Sequence, residues 1–417
     1  MTDWARRLAL GGAGGLLLGM PALAQQTATS EASNLSIVDT PSVANAASHY
    51  NINGTFETAY DTNVTGSGAA VAGLRGLKQD DFIFTPTVLV DVFKNFGRES
   101  LFLTGSAGYS AYANNSILNR ENLDLAGGGN AQLGLCRATV TGVYDRRQQQ
   151  LEDITRLSVQ DVFSDTSLGV EGACGRSIGF QPTFSFNQTW TNNSQAQLQS
   201  SNYTSTGGSG GIAYVTPTFG NLTVFGDYTS TTFGNRSIAL GPLQLQDGFD
   251  QYGGGVRYSR LLGARIQGVV SLSYMAVRPF VGSAGFDGPT YSADITYRAG
   301  SRLSLHGNVT HDIQPSNVLD SDFYIETKGL VEANYQFSSR LSALLGVSDN
   351  DRTFKGPALM PGIDLTHDTL KSVYTTITYS VRKLFVALDV RYQNRDANLS
   401  GFSFPDTRVG LTVGTRF

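Results

Sequence analysis

From about residue 50 onward, apolar and polar side chains alternate with a period of two, the signature of strands with two unlike faces. In 371–381, Val373, Thr375, Ile377, Tyr379 and Val381 share one face, while Ser372, Tyr374, Thr376, Thr378 and Ser380 share the other. The next stretch sets Leu384, Val386, Leu388, Val390 and Tyr392 against Phe385, Ala387, Asp389, Arg391, Gln393 and Arg395. The same split separates Tyr291, Ala293, Ile295 and Tyr297 from Ser292, Asp294, Thr296 and Arg298. At the end of the chain Val409, Leu411, Val413, Thr415 and Phe417 alternate with Arg408, Gly410, Thr412, Gly414 and Arg416.

Alternation fits a sandwich in water as well as a barrel in lipid, so the connections decide. Tight turns at 299–301, 338–340 and 382–383 alternate with long polar stretches near 191–206, 234–249, 313–322 and 352–369. Short turns on one side and long loops on the other are expected of outer-membrane barrels. In lipid every backbone polar group must be paired internally, which only a helix or a closed barrel achieves. The pattern therefore predicts an all-β chain, a closed antiparallel transmembrane β-barrel of about 18 strands, with 16 as the alternative count. An even count returns both ends of the barrel to the periplasm. Pro86 and Pro182 fall inside predicted strands. A closed barrel has no free edge to hold a proline, so a bulge or a local break in pairing is expected at each.

The N-terminus reads as an export signal over residues 1–24. Arg6 and Arg7 precede the apolar stretch Leu8–Met20, and Ala22-Leu23-Ala24 is a small-x-small cleavage site. An uncleaved anchor helix is the competing reading, and the short apolar run and Pro21 argue against it. Residues 25–47 are rich in Ser, Ala, Thr, Asn and Gln and read as a flexible periplasmic leader; the barrel occupies 48–417. The terminal Phe417 on an amphipathic strand resembles the signal read by the outer-membrane insertion machinery.

Composition narrows the class further. Charged residues are 15% of the chain, against ~25% in ordinary globular domains, while Gly (48), Phe (23) and Tyr (18) are abundant. A net charge of −4 without a basic tail gives no reason to expect a nucleic-acid partner. Cys136 and Cys174 match no zinc or redox spacing. They fall at the periplasmic ends of adjacent predicted strands with outward parity, and either form a disulfide or leave two thiols that never meet. No cofactor or metal is expected, because no loop shows a recognisable ligand spacing. His306 shares a strand face with Ser304 and Asn308, but residues two apart point in parallel and that face looks into the lumen, so catalysis is not expected. His49, His311 and His367 have no evident partners.

Inward parity collects Arg137, Arg257, Arg265, Arg298, Arg302 and Arg416 toward the periplasmic end, with Asp294, Asp389 and Arg391 further along the lumen. A basic mouth in a low-dielectric wall would concentrate an anionic solute, and arginine pairs bidentately with carboxylates. The competing reading is that these arginines brace the wall against neighbouring acids or meet lipid headgroups.

Several hairpins share an aromatic strand, a short turn and then Arg or Lys followed by Leu, as in Ile295-Thr296-Tyr297 to Arg302-Leu303, Asn334–Phe337 to Arg340-Leu341 and Ile377-Thr378-Tyr379 to Lys383-Leu384. The stretch Asp294–Asp351 in particular resembles the putative β-barrel porin type 2 family, outer-membrane barrels associated with exopolysaccharide biosynthesis and export. That resemblance implies a channel for passage or secretion of a glycan polymer, with outer-membrane lipid and periplasmic export components as partners. A general or anion-selective porin for small solutes, or a non-conducting barrel serving as adhesin or scaffold, are the alternatives. The family supplies no catalytic residues.

Overall fold

The alternating segments pair into one closed sheet. The computed structural model describes residues 47–148, 161–240, 243–262, 265–282, 284–318, 321–356 and 364–416. The expected signal, nearly all of the expected leader and Phe417 lie outside the described residues. Eighteen antiparallel strands follow in chain order: β1 (His49–Asp61), β2 (Asp81–Asn95), β3 (Ser100–Tyr112), β4 (Arg120–Leu133), β5 (Cys136–Gln148), β6 (Val162–Cys174), β7 (Gly179–Asn193), β8 (Tyr203–Thr216), β9 (Gly220–Leu240), β10 (Leu243–Leu262), β11 (Ile266–Pro279), β12 (Phe286–Ala299), β13 (Leu303–Pro315), β14 (Phe323–Gln336), β15 (Leu341–Lys355), β16 (His367–Val381), β17 (Leu384–Ala397) and β18 (Phe404–Arg416). Each pairs with its neighbours in sequence, and β1 closes the cylinder on β18, from Asn53 opposite Arg416 to Asp61 opposite Arg408. One short helix, α1 (Ala69–Leu74), stands in the β1–β2 loop.

The faces fall as the period-two pattern requires. Phe56, Phe84, Phe186, Leu272, Ile295, Val331, Val373 and Leu411 are among the large apolar side chains exposed on the outside. On that surface the surrounding solvent is lipid, so exposure of apolar atoms there costs nothing. The inner face carries Ser, Thr, Gly, Asn and charged residues. Strands of 13 to 21 residues exceed the 9–11 that a bilayer needs, so their outer ends rise beyond the membrane. There the buried apolar side chains gather in three clusters, around Leu118, Phe249 and Leu365.

One expectation changes and one is met. The segment 234–249 is a paired extension and not a loop: β9 and β10 keep their ladder out to Leu240 opposite Leu243, with a register shift between Gln246 and Gly248. The backbone there sets Ile238 opposite Leu245 and Leu240 opposite Leu243. At the prolines the expected local break in pairing is present, without a register shift. Pro86 remains opposite Phe56 on β1, while the β2–β3 ladder skips Thr85 and Pro86 and resumes at Thr87 with the same register. Pro182 pairs only toward β8; the β6–β7 ladder has ended one residue earlier, at Thr183. A missing N–H is tolerated in both places because no partner strand requires it.

Candidate functional site

The lumen is the candidate site, built from every second residue of each strand. Of the residues singled out from the sequence, Arg137, Arg265, Arg298 and Arg302 stand exposed near the short-turn end. Three of them also hold this end together through the backbone. The Arg298 N–H donates to the Arg265 carbonyl at 2.7 Å, and the Arg302 carbonyl accepts from the Gln336 N–H at 2.8 Å. Arg257 does not join this group. It lies five residues before the end of β10, about 17 Å along a strand at ~3.4 Å per residue. Its guanidinium covers the Phe225 ring at 5.2 Å and acts on the inward carboxylates of Glu171 and Asp227. Arg416 pairs with Asn53 through the backbone, at the same end.

Higher in the lumen, the acids are engaged. Asp294 Oδ2 meets His306 Nε2 at 2.9 Å and accepts from Asn308 Nδ2 at 3.1 Å. The other His306 nitrogen lies 3.3 Å from Glu332, which also accepts from the Tyr374 hydroxyl at 2.6 Å. Tyr374 reaches Glu332 across β15 because Gly346, the residue beneath its ring, has no side chain; a Cβ there would occupy the ring's place. Asp389 accepts from Thr376 at 2.7 Å, and Arg391 lies 3.6 Å from Asp406. Cys136 and Cys174 sit opposite each other on β5 and β6 and are bridged. The remaining histidines also have partners: His49 with Asp91, His311 with Thr327 and His367 with Asp351.

Sequence reasoning missed the constellations that join distant segments. Asp368 is held by both Arg352 and Arg395, all three at the outer end of the lumen. Arg408 of β18 pairs with Glu57 of β1 at 2.8 Å across the closing seam. Asp124, Asp145 and Asp165 stand directly opposite one another on β4, β5 and β6, with Arg147 paired to Asp145 at 3.1 Å. Their inward parity was legible; their alignment required the register.

The outer mouth departs most from a plain cylinder. The β12–β13 ladder stops at Tyr291 opposite His311, four residues before β13 ends, whereas β13 and β14 stay paired to Pro315 and Phe323. Beyond that point the hairpin top leaves the wall. Ile313 and Phe323, on the face that would otherwise look outward, are buried against Phe233, Phe249 and Val277, which have lumen-facing parity. The lumen-facing Gln251 side chain contacts the Ile313 carbonyl at 3.4 Å. This hairpin top therefore folds inward across the outer end of the lumen, and we term it the crown. Its opposite side packs under neighbouring loops through Val318, Phe354 and Leu365. Elsewhere around the rim Leu77, Leu118 and Leu198 join three further loops, and Arg75 covers Phe402 at 5.5 Å.

Among curated protein sequences none matches this chain. Solved structures with a similar backbone include Pseudomonas aeruginosa OccK2 (OpdF) in complex with glucuronate, with a TM-score of 0.46 and 12% identity over 89% of this chain and 98% of that one. Pseudomonas aeruginosa OpdQ gives a TM-score of 0.44 and 10% identity over 89% and 99%. The siderophore receptor PirA from Acinetobacter baumannii gives 0.43 and 9% over 89% and 81%. At these scores the likenesses bear on no substrate. The sequence profile of the family described as Putative beta-barrel porin 2 matches residues 52–417, the whole of the barrel from within β1 onward, and the chain thus belongs to that family, as an outer-membrane β-barrel of the porin type.

Proposed function

We propose that the barrel is a passive channel for small hydrophilic solutes, narrowed at its outer end by the crown. The observation that carries this reading is the burial of Ile313 and Phe323 against lumen-facing Phe249 and Val277. A barrel of this strand number has room for water unless chain folds into it. An infolded hairpin top reduces the cross-section, which favours small solutes over long chains, and the polar Ser, Thr and Asn wall beneath offers hydrogen bonds without an apolar trap.

Passage of an exopolysaccharide is the second reading, and a different observation favours it. Arg137, Arg265, Arg298 and Arg302 are exposed at the periplasmic end and, among the described residues, make no ion pair. Such a rim suits an anionic polymer arriving from the periplasm with its export components. The polymer would require the crown to move aside. Insertion into the outer membrane by the assembly machinery, with Phe417 as its signal, belongs to both readings.

Liposome swelling with sugars of increasing length separates the two. Small-solute passage predicts fast entry of mono- and disaccharides and a steep fall for longer chains. Equal rates for long oligosaccharides would overturn it in favour of the polymer. Salt-gradient reversal potentials in planar bilayers test the rim: R137Q/R265Q/R298Q/R302Q should lose anion preference, most at low salt where screening is weakest. A barrel that neither swells liposomes nor conducts would leave the scaffold reading.

A further inference from the structure

We infer that Arg236 sets the size limit of the channel, by fastening the crown to the β9–β10 extension. This rests on the small-solute reading and names the side chain that enforces it. Three groups from two extracellular hairpins converge on this guanidinium. Its Nε lies 2.8 Å from Asp247 Oδ2 on β10, and its Nη2 lies 3.0 Å from Asp322 Oδ1 at the start of β14. Its Nη1 donates to the Ser321 carbonyl at 3.2 Å. The guanidinium plane rests on the Phe233 ring, 3.8 Å from its centroid.

Both carboxylates are wholly buried, and Arg236 is nearly so. Around them close Phe233, Phe249, Val277, Ile313 and Phe323. Each acid is also fixed by its own backbone. Asp247 accepts from the Gly248 N–H at 2.8 Å, at the register shift of β10, and the Asp322 N–H donates to the Lys355 carbonyl at 2.7 Å. The arginine is therefore the shared partner of two anions on separate hairpins, placed where water cannot screen them.

The sign of the effect follows from the charges. With Arg236 present, one cation draws two carboxylates together and holds the crown over the lumen. Without it, two buried carboxylates lose the cation they share in a poorly screened pocket, and separation of the hairpins is one relief open to them. Loss of the arginine thus favours outward movement of the crown as well as releasing it. Lysine keeps the charge but cannot supply the planar fork or the same stacking, so it should hold the crown only in part.

The test compares wild type, R236A, R236K and R236A/D247N/D322N in planar bilayers and in liposomes swollen with graded sugars, after heat-modifiable migration shows a folded barrel. R236A should conduct at least about two-fold more than wild type, since current follows pore cross-section, and should admit sugars that wild type excludes. R236K should lie between. The triple variant should return toward wild type, because its neutral amides no longer repel and the aromatic cluster remains. Wild-type conductance and size limit in folded R236A would overturn the assignment while leaving the channel reading intact. If R236A fails to insert, R236K decides, and an unchanged size limit in that variant would overturn it. A wild type that conducts nothing would instead defeat the channel reading itself.

Discussion

Replacing Asp368 by Asn should cost the barrel about 3–5 kcal/mol, the usual range when one partner of a buried ion pair is removed. Asp368 is 1% exposed, as is Arg395, and Arg352 is 14% exposed. The carboxylate accepts from Arg352 Nε at 2.9 Å and Nη2 at 2.7 Å, and from Arg395 Nε at 2.8 Å. Arg352 is also stacked over Phe354 at 5.2 Å. Asparagine keeps the shape but removes the negative charge that the two guanidinium groups share. Packing confines both, so neither can escape readily to water. Urea unfolding in lipid vesicles measures the loss, with Trp190 on the lipid face of β7 as the fluorescent reporter. Asp287 provides the control, because its 2.7 Å pair with Arg278 is about half exposed on both sides. D287N should cost no more than about 1 kcal/mol. Equal losses in D368N and D287N, or a loss below 1 kcal/mol in D368N, would refute the argument from burial.

Three further outcomes are expected. G346A should displace the Tyr374 ring and break its 2.6 Å bond to Glu332, costing about 1–3 kcal/mol as other overpacked sites do, measured by the same urea titration. C136S/C174S, which opens a cross-link spanning 38 residues, should lower stability by roughly 4 kcal/mol in the chain-entropy treatment, and reductant should weaken the wild type but not the double mutant. An epitope placed at Ser200 or Gly401, in loops at the long-loop end, should be labelled on intact cells, whereas one at Gly300 should be labelled only after permeabilisation; the reverse pattern would invert the topology.

What was legible in the chain was local. A strand shows its two faces at every second residue, so Phe56, Ile295, Val373 and Leu411 could be placed outward without knowledge of any partner strand. Turn and loop lengths then gave the closed barrel. Contacts across the cylinder were a different matter. Thr62 donates to Asp406 across 344 residues of sequence, and Arg236 reaches Ser321 across 85. No periodicity records such pairs, because each arises from the register of several ladders acting together. The same limit hid the alignment of Asp124, Asp145 and Asp165, and it placed Arg257 among the basic mouth residues although it lies five residues inside the end of β10, over Phe225. The extension at 234–249 was obscured because its Gly, Pro, Asn and Gln residues read as a loop, whereas the pairing of β9 with β10 continues through it. Above all, the crown's inward fold depends on the β12–β13 ladder stopping at Tyr291 and His311, beyond which β12 stays with β11 while β13 and β14 leave the wall and bury Ile313 and Phe323. Sequence alone therefore determined that this chain closes a barrel and which face meets lipid; only the tertiary structure decided that a hairpin top folds across its outer end, since Ile313 and Phe323 find their burial against lumen-facing Phe233, Phe249 and Val277.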